Sequence, residues 1–320
     1  MQLRVGLINV VQTVAALLAA VAVGATTCTA CARRSWLVDL MTHFRVQYAV
    51  VAVLCTVVLA WTFQPGWAAL AAAACALNVM ASIPLLRRAP VAASPGSASS
   101  VAIRVATINV FYRNHDCSRT VGFVRSERPD VIALEEVSPR WQSELSVLAD
   151  QYPFRYFTGD ALSRGVLLLS CWPIERAASL ALRSNASHGV LATVRVRGQA
   201  LQVVGVHTCW PMGRAKAALR NRQLAQLAEL AQSESGRLIV LGDLNVSPFS
   251  PHFQTLLETG RLASAAQGFG WQPTWPSVLP PVGIQIDHVL VSRGIEVRRF
   301  ARGPFIGSDH WPVVADLSFR

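Results

Sequence analysis

Two long stretches of this chain, residues 5–32 and 46–86, carry no charged side chain. A helix needs roughly 20 apolar residues to cross the hydrocarbon core of a bilayer, so the first stretch holds one span, about 7–27. The second is too long for one helix and is broken at Gln64-Pro65-Gly66, a turn signal. It reads as a hairpin of two spans, about 46–63 and 67–86. Tyr48, Trp61 and Trp67 fall near the span ends, where amphipathic rings prefer to sit. A cleaved signal peptide accounts only for the first stretch and leaves the hairpin unexplained. Burial of all three inside a soluble domain is the remaining alternative. With 52% hydrophobic and 15% charged residues, the composition excludes a purely soluble single domain.

The net charge of +11 divides between two regions. Residues 1–100 carry six arginines (Arg4, Arg33, Arg34, Arg45, Arg87, Arg88) against Asp39 alone, a balance of +5, and residues 101–320 carry the other +6. Much of the positive charge therefore flanks the spans, where arginines read as topology signals or contacts to anionic lipid heads, and its value as a nucleic-acid signal is weak. Counting those arginines places the loop between the first two spans, and everything after the third, on the cytoplasmic side. Four of the seven cysteines lie in or beside the spans, and Cys117, Cys171 and Cys209 have no metal-like spacing, so no disulfide framework is indicated.

Residues 89–100, rich in Ala, Ser and Pro, have the composition of a flexible tether between a 1–88 anchor and a 101–320 domain. Beyond it the pattern becomes that of a soluble α/β domain. Strands are expected at 103–110, 130–134, 165–170, 190–196, 201–207, 238–241, 286–291 and 312–317, and helices at 118–127, 139–149, 213–232 and 250–257. In the third helix Leu219, Leu224, Leu227 and Leu230 form an apolar stripe, with Arg220, Arg222 and Glu229 placed opposite.

Polar residues recur where apolar runs end. Asn109 closes the first, Glu135-Glu136 follows the second, His207 ends Leu-Gln-Val-Val-Gly-Val-His, and Asp243 and Asn245 follow Leu-Ile-Val-Leu-Gly. Asp287-His288 lies in Ile-Asp-His-Val-Leu-Val, and Asp309-His310 precedes the last strand. Each has an ordinary explanation as a turn residue or a satisfied core histidine. Together they match a chemical need. Hard divalent cations prefer carboxylate and amide oxygens, and hydrolysis of a phosphate ester requires an activated water and fixed donors for the charge developing on phosphorus. Glu136 and Asp309 can supply metal oxygens, Asn109 and Asn245 can orient phosphate or water, and Asp243 or a histidine can take the proton. Neither a Gly-x-Ser-x-Gly elbow nor a Walker-type loop is present.

The order Thr-Ile-Asn109, Leu-Glu-Glu136, Val-His207, Gly-Asp243-Leu-Asn245, Ile-Asp287-His288 and Gly-Ser-Asp309-His310-Trp-Pro resembles the endonuclease/exonuclease/phosphatase superfamily over 101–320. The whole chain is also similar to bacterial proteins with three N-terminal spans before such a domain. The resemblance implies an α/β fold of two packed mixed β-sheets flanked by helices, a four-layer sandwich, with a divalent-metal site, Mg²⁺ or Mn²⁺, at one rim. It implies Glu136 as principal metal ligand, with Asn109 beside it and Asp309 in the metal's neighbourhood. By the same resemblance, Asp243 orients water, Asn245 donates to the transition state, His310 contacts the scissile phosphate with Asp287 as its partner carboxylate, and His207 is a phosphate contact or leaving-group acid. Either Asp243 or His310 removes the proton, and His288 has no catalytic counterpart.

Two positions depart from the pattern. Phe111 stands where members that incise DNA at abasic sites often have an acid, and Glu135 stands where Gln is common. Confinement at the bilayer raises effective concentration toward lipid head groups, which points to a membrane-bound, metal-dependent hydrolase of phosphate esters, with lipid-linked phosphate or pyrophosphate as substrate and the cell (inner) membrane as its place. A tethered nuclease is the second reading. It requires a basic groove with stacking aromatics, for which Trp172, Trp210, Trp271 and Trp275 are the candidates. A non-catalytic interaction module, the third reading, gives no reason to keep so many acids, amides and imidazoles together.

Overall fold

The computed structural model describes residues 2–87, 100–159, 164–182 and 188–320, so the 89–100 tether lies, but for Ser100, outside the described residues. The chain divides into two compact units, Met1–Pro84 with Phe249–Pro251, and Leu85–Pro248 with His252–Arg320.

The first unit is helical: α1 (Gln2–Cys28), α2 (Trp36–Thr42), α3 (Arg45–Trp61) and α4 (Pro65–Leu86). Its helices meet through small side chains, with Ala15, Ala19, Ala22, Ala52, Ala71 and Ala74 buried between them, the packing that lets helix backbones approach closely without a large apolar core. Leu17, Val21, Leu54, Val57, Leu77 and Met80 face outward. Asn78, Arg45, Thr26 and Thr29 form one internal polar network. The Asn78 amide donates to Thr26 Oγ1 at 2.7 Å, and Arg45 donates to Thr29 Oγ1 at 2.8 Å. Among the described residues, two helices, Gly6–Cys31 and Pro65–Leu86, are long and apolar enough to cross a membrane, and there is a third if Trp36–Thr42 and Arg45–Trp61, bent by 66°, count as one. The expected 46–63 span is shorter as a helix because the chain turns at 62–64. Pro65 opens α4 instead of lying in the turn, as suits a residue with fixed φ and no N–H to satisfy.

The second unit follows the order β1 (Val101–Asn109), α5 (Ser118–Glu127), β2 (Val131–Val137), α6 (Pro139–Glu144), β3 (Phe154–Phe157), β4 (Gly165–Ser170), β5 (Ile174–Ala181), β6 (His188–Val196), β7 (Gln199–Val206), α7 (Arg214–Ser233), β8 (Leu238–Asp243), α8 (Pro251–Gly260), β9 (Leu262–Ser264), β10 (Asp287–Ser292), β11 (Ile295–Arg302) and β12 (Val313–Phe319). The strands form two six-stranded sheets, ordered β11-β12-β1-β2-β4-β3 and β5-β6-β7-β8-β10-β9. Each is mixed, parallel at β1/β2 and at β7/β8 and antiparallel elsewhere.

Facing side chains of the two sheets, among them Val105, Ala133, Leu168, Val203, Leu241 and Val289, make the central core. Helices α5 and α6 cover the outer face of the first sheet through Phe123, Val124 and Trp141, and α7 and α8 cover the second through Leu224, Leu227, Phe253 and Leu256. The central strands are therefore buried on both faces, which is why they read as unbroken apolar runs, and each fully buried Leu or Ile contributes roughly 1.5–3 kcal/mol. This is the two-sheet, helix-flanked α/β architecture that the family resemblance implies.

Four strands were not expected: β3, β5, β9 and β11. They are the two edges of each sheet. In α7 the expected polar position of Arg220 is incorrect. The buried stripe runs through Ala217, Arg220, Leu224, Leu227 and Ala231, and Arg220 is fully buried on it, while Arg222 and Glu229 are exposed. The expected 139–149 helix is α-helical only to Glu144 and continues as a 3-10 turn, Leu145–Leu148.

Candidate active site

The site grows out of strand pairing. Because β1 and β2 are parallel neighbours with Asn109 opposite Glu135, the residues that end them emerge at the same edge. Glu136 sits where β2 loses register with β4 between Leu134 and Val137, at φ +59°. This bulge reverses the alternation, so Glu135 is buried and its neighbour Glu136 faces the site. In the second sheet β7 and β8 are also parallel, and the Thr208 N–H donates to the Asp243 carbonyl at 3.0 Å, which places His207 beside Asp243. The glycine before Asp243 is obligatory, since at φ +151° a Cβ on Gly242 would overlap the Val206 carbonyl oxygen. Asp287, the first residue of β10, is the cross-strand partner of Asp243.

His310 arrives from the loop before β12. That strand is pinned to β1 by Arg104, which grips Asp316 directly opposite through two hydrogen bonds of 2.5 and 3.0 Å. The loop is held by Ser308, whose hydroxyl donates to the Asn109 carbonyl at 2.7 Å and accepts the His310 N–H at 3.0 Å.

The side chains converge. Asn109 Nδ2 lies 3.3 Å from both Glu136 Oε1 and Asp243 Oδ2, and 3.5 Å from His310 Nε2. Asp243 Oδ2 is 3.5 Å from His207 Nε2 and 3.7 Å from His310 Nε2. On its other ring nitrogen His310 meets Asp287 Oδ2 at 2.9 Å. Asn245, at φ +48°, donates its N–H to Asp243 Oδ1 at 2.9 Å and its amide to the Thr208 carbonyl at 3.0 Å. Asp309 Oδ2 accepts from the Trp275 indole at 3.2 Å, whereas its buried Oδ1 has no protein hydrogen-bond partner. All eight sequence-nominated residues, Asn109, Glu136, His207, Asp243, Asn245, Asp287, Asp309 and His310, therefore lie at this one edge of the two sheets. His288 does not. It points to the opposite side of β10, where its Nε2 bonds the Val246 carbonyl at 2.8 Å and its ring packs 4.5 Å from Phe253.

The electrostatics divide the carboxyls by role. Burial pushes Asp243 up, with Asp287 adding repulsion against the counteracting charges of His310 and His207, to about 6. Burial also works on Asp287, but the His310 imidazolium and the Thr274 hydroxyl outweigh it and hold that carboxyl low. Burial alone would depress His310, yet Asp287 and Asp243 together raise it to about 10. Asp309 is raised by burial and by the charge of Glu136. Glu135, fully buried and bonded by Thr107 Oγ1 at 2.7 Å, is driven well above the usual carboxylate range by desolvation. Burial pushes His288 down to about 4.

This donor set fits a hard divalent cation. Glu136 accepts one neutral bond on each oxygen, from Asn109 Nδ2 at 3.3 Å and the Tyr112 N–H at 3.2 Å, with Arg164 3.8 Å away, and Asp309 Oδ1 is buried without a protein partner among the described residues. A second group, Asp243, Asp287 and His310, has one ligand atom from each residue within 4.8 Å of the others. There, however, the His310 nitrogen nearest Asp287 is already spent on it.

Sequence reasoning missed several supporting residues. Thr274 Oγ1 accepts the Asp287 N–H at 3.2 Å, Trp275 holds Asp309, and buried Arg220 donates to the Asn245 carbonyl at 2.6 Å. Of the four tryptophans nominated for base stacking, Trp172 packs against the central core and Trp275 is bound to Asp309, while Trp210 is exposed, 5.6 Å from the Lys216 ammonium.

Two sheets packed face to face between helices, with carboxylates, amides and imidazoles gathered at one edge, define a class of phosphoester-cleaving folds. Residues 106–310 match the Endonuclease/Exonuclease/phosphatase family, and the chain belongs to it. No curated protein matches the chain. Among solved structures, it is similar to an endonuclease/exonuclease/phosphatase from Beutenbergia cavernae (TM-score 0.58, 22% identity, covering 68% of this chain and 72% of that one). D. rerio TDP2 complexed with a single-strand DNA product shares the fold at TM-score 0.56 and 15% identity, over 68% of this chain and 98% of that one. Sphingomyelinase C from Streptomyces griseocarneus does so at TM-score 0.52 and 20% identity, over 67% and 99%.

Proposed function

We propose that this chain is a membrane-anchored, divalent-metal-dependent hydrolase of phosphate esters whose substrate is a lipid-linked phosphate or pyrophosphate. The observation that carries the reading is the meeting, around Asn109, of an oxygen-rich cation site with an acid–base pair: Glu136, Asp243 and His310 all lie within 3.5 Å of its amide nitrogen. Glu136 and Asp309, with Asn109 beside them, would hold Mg²⁺ or Mn²⁺. Such an ion supplies positive charge to a phosphoryl oxygen.

Asp243, poised near neutrality at about 6, takes the proton of the attacking water. As that water's oxygen bonds to phosphorus, the ester P–O bond on the opposite side breaks. His310, kept protonated by Asp287, donates to a phosphoryl oxygen, and the uncharged Asn245 amide adds a second donor to the same developing charge. His207, beside Asp243, gives its proton to the departing oxygen. The raised His310 and the intermediate Asp243 favour Asp243 as the base.

The anchor comprises residues 1–88, the tether 89–100 and the hydrolase 101–320. The arginine balance supports an inner-membrane location with the hydrolase on the cytoplasmic side. The exposed Trp210 beside Lys216 supports a nuclease as the second reading. The deciding experiment presents the detergent-solubilised full-length protein and Mg²⁺ with plasmid DNA, RNA, lipid pyrophosphates and inositol phosphates side by side. Turnover confined to lipid pyrophosphates, abolished by EDTA and restored by Mg²⁺ or Mn²⁺, is expected. Turnover of DNA or RNA alone establishes the nuclease, and chelator-resistant turnover overturns metal dependence.

A further inference from the structure

Helix α7 carries none of the reacting groups, yet one of its turns grips both loops that do. Arg220 and Gln223, three residues apart and so on one helix face, are both fully buried. The Arg220 guanidinium donates to the Asn245 carbonyl at 2.6 Å and to Asn221 Oδ1 at 2.7 Å. Gln223 Oε1 accepts the Cys209 N–H at 2.8 Å, and its amide donates to the Leu182 carbonyl at 3.2 Å. The same turn thus fixes the loop of Asp243 and Asn245 and the loop of His207. The two loops are joined to each other as well, through Thr208 N–H to the Asp243 carbonyl and Asn245 Nδ2 to the Thr208 carbonyl, both at 3.0 Å.

Burying a guanidinium is costly, and an apolar side chain of similar volume generally serves packing as well or better. The positions around Arg220 on this stripe, Ala217, Leu224 and Leu227, are apolar. What a guanidinium adds here is a donor aimed at a backbone carbonyl, and that carbonyl belongs to Asn245, a non-glycine residue held at φ +48°. An oriented donor loses its value when its loop relaxes by about 1 Å, a displacement that can cost about 10²-fold in rate.

We propose that Arg220 and Gln223 are positioning residues of the active site, setting from beneath the orientation of Asn245 and His207 that the reaction requires. The inference rests on the roles given above to those two residues, and its test separates the two questions. In the solubilised full-length protein with Mg²⁺ and the lipid pyrophosphate used above, Arg220→Met is expected to lower kcat about 10²-fold, with KM and Mn²⁺ affinity within about twofold, and Arg220→Lys to recover part of the loss. In an Asn245→Ala background the Arg220→Met loss should shrink to less than about threefold. An undiminished loss there shows general damage and overturns the proposal.

Hydrogen exchange supplies the readout that needs no turnover. Gln223→Leu should accelerate exchange across 207–211 and Arg220→Met across 243–247, with β7 and β8 unchanged. Unaltered exchange in both loops overturns the clamp, and should Arg220→Met fail to fold, Gln223→Leu decides. If the wild type hydrolyses no probe, the reading of function falls while the exchange data still judge the clamp.

Discussion

His310 Nδ1 lies 2.9 Å from the carboxylate of Asp287, twenty-three residues away, while the carboxylate of its own neighbour, Asp309, is bonded to the Trp275 indole. The Asp of the Ser-Asp-His motif is thus left for the proposed cation site, and a distant Asp meets the imidazole. A carboxylate on Nδ1 sets the tautomer, aims Nε2 at the site and favours the charged ring.

Replacing that partner should therefore shift a pH profile as well as lower a rate. With Asp287→Asn the main charge raising His310 is lost, and the imidazole deprotonates at lower pH. The alkaline limb of kcat/KM, set by loss of the His310 proton near 10 in the wild type, should move down by at least about 1 pH unit. The acid limb, set by Asp243 near 6, should move far less. His310→Ala should lower kcat by about 10² or more. An unshifted alkaline limb in Asp287→Asn removes the dyad from the mechanism.

The cation site makes a prediction independent of turnover. Glu136→Gln and Asp309→Asn preserve shape and remove charge, and each should weaken Mn²⁺ binding, followed by electron paramagnetic resonance, at least about 10-fold. Glu144→Gln, in an exposed pair with Arg140 outside the site, should leave it unchanged. Equal affinities in all three proteins would place the ion elsewhere.

His288 predicts an acid-sensitive fold. Its imidazole is buried neutral with a folded value of about 4 against an ordinary 6.5. The unfolded chain therefore binds the proton first as pH falls. The stability linked to the neutral ring is complete above pH 6.5 and is lost progressively down to about 4, an effect of about 3 kcal/mol. His288→Phe keeps the ring packing on Phe253 and gives up the bond to the Val246 carbonyl. It should be less stable than wild type at pH 7.5 by about 1–3 kcal/mol, with the gap closing between pH 6.5 and 4. Parallel denaturation curves at all pH values would contradict this.

The orientation proposed from the arginine balance is tested by a reporter fused after Arg320. A cytoplasmically active reporter should light up and a periplasmically active one stay silent; the reverse result places the hydrolase outside.

Much of the fold was legible because the central strands are buried on both faces and so spell continuous apolar runs, as in Leu238–Asp243 and Gly165–Ser170. The four strands with no such run, β3, β5, β9 and β11, are the sheet edges. An edge strand has one neighbour and less cover. Ile174–Ala181 accordingly has no fully buried position, and Leu262–Ser264 is only three residues long. The polar residues of the site were readable for the opposite reason, because each interrupts or ends an apolar run.

Sequence alone determined which chemistry this chain carries: apolar helices ahead of an α/β domain, and carboxylates, amides and imidazoles at the ends of its strands. Only the tertiary structure decided how they combine. The bulge in β2 turns Glu136 into the site and Glu135 into the core, strand pairing sets Asp287 opposite Asp243, and Arg220 leaves its expected polar face for a buried stripe to hold Asn245. Residue type and spacing along the chain specify a side chain's chemistry and the face of its own element. Which partner it meets across two sheets depends on register, bulges and buried hydrogen bonds between segments far apart in sequence, and these are settled only when the layers pack.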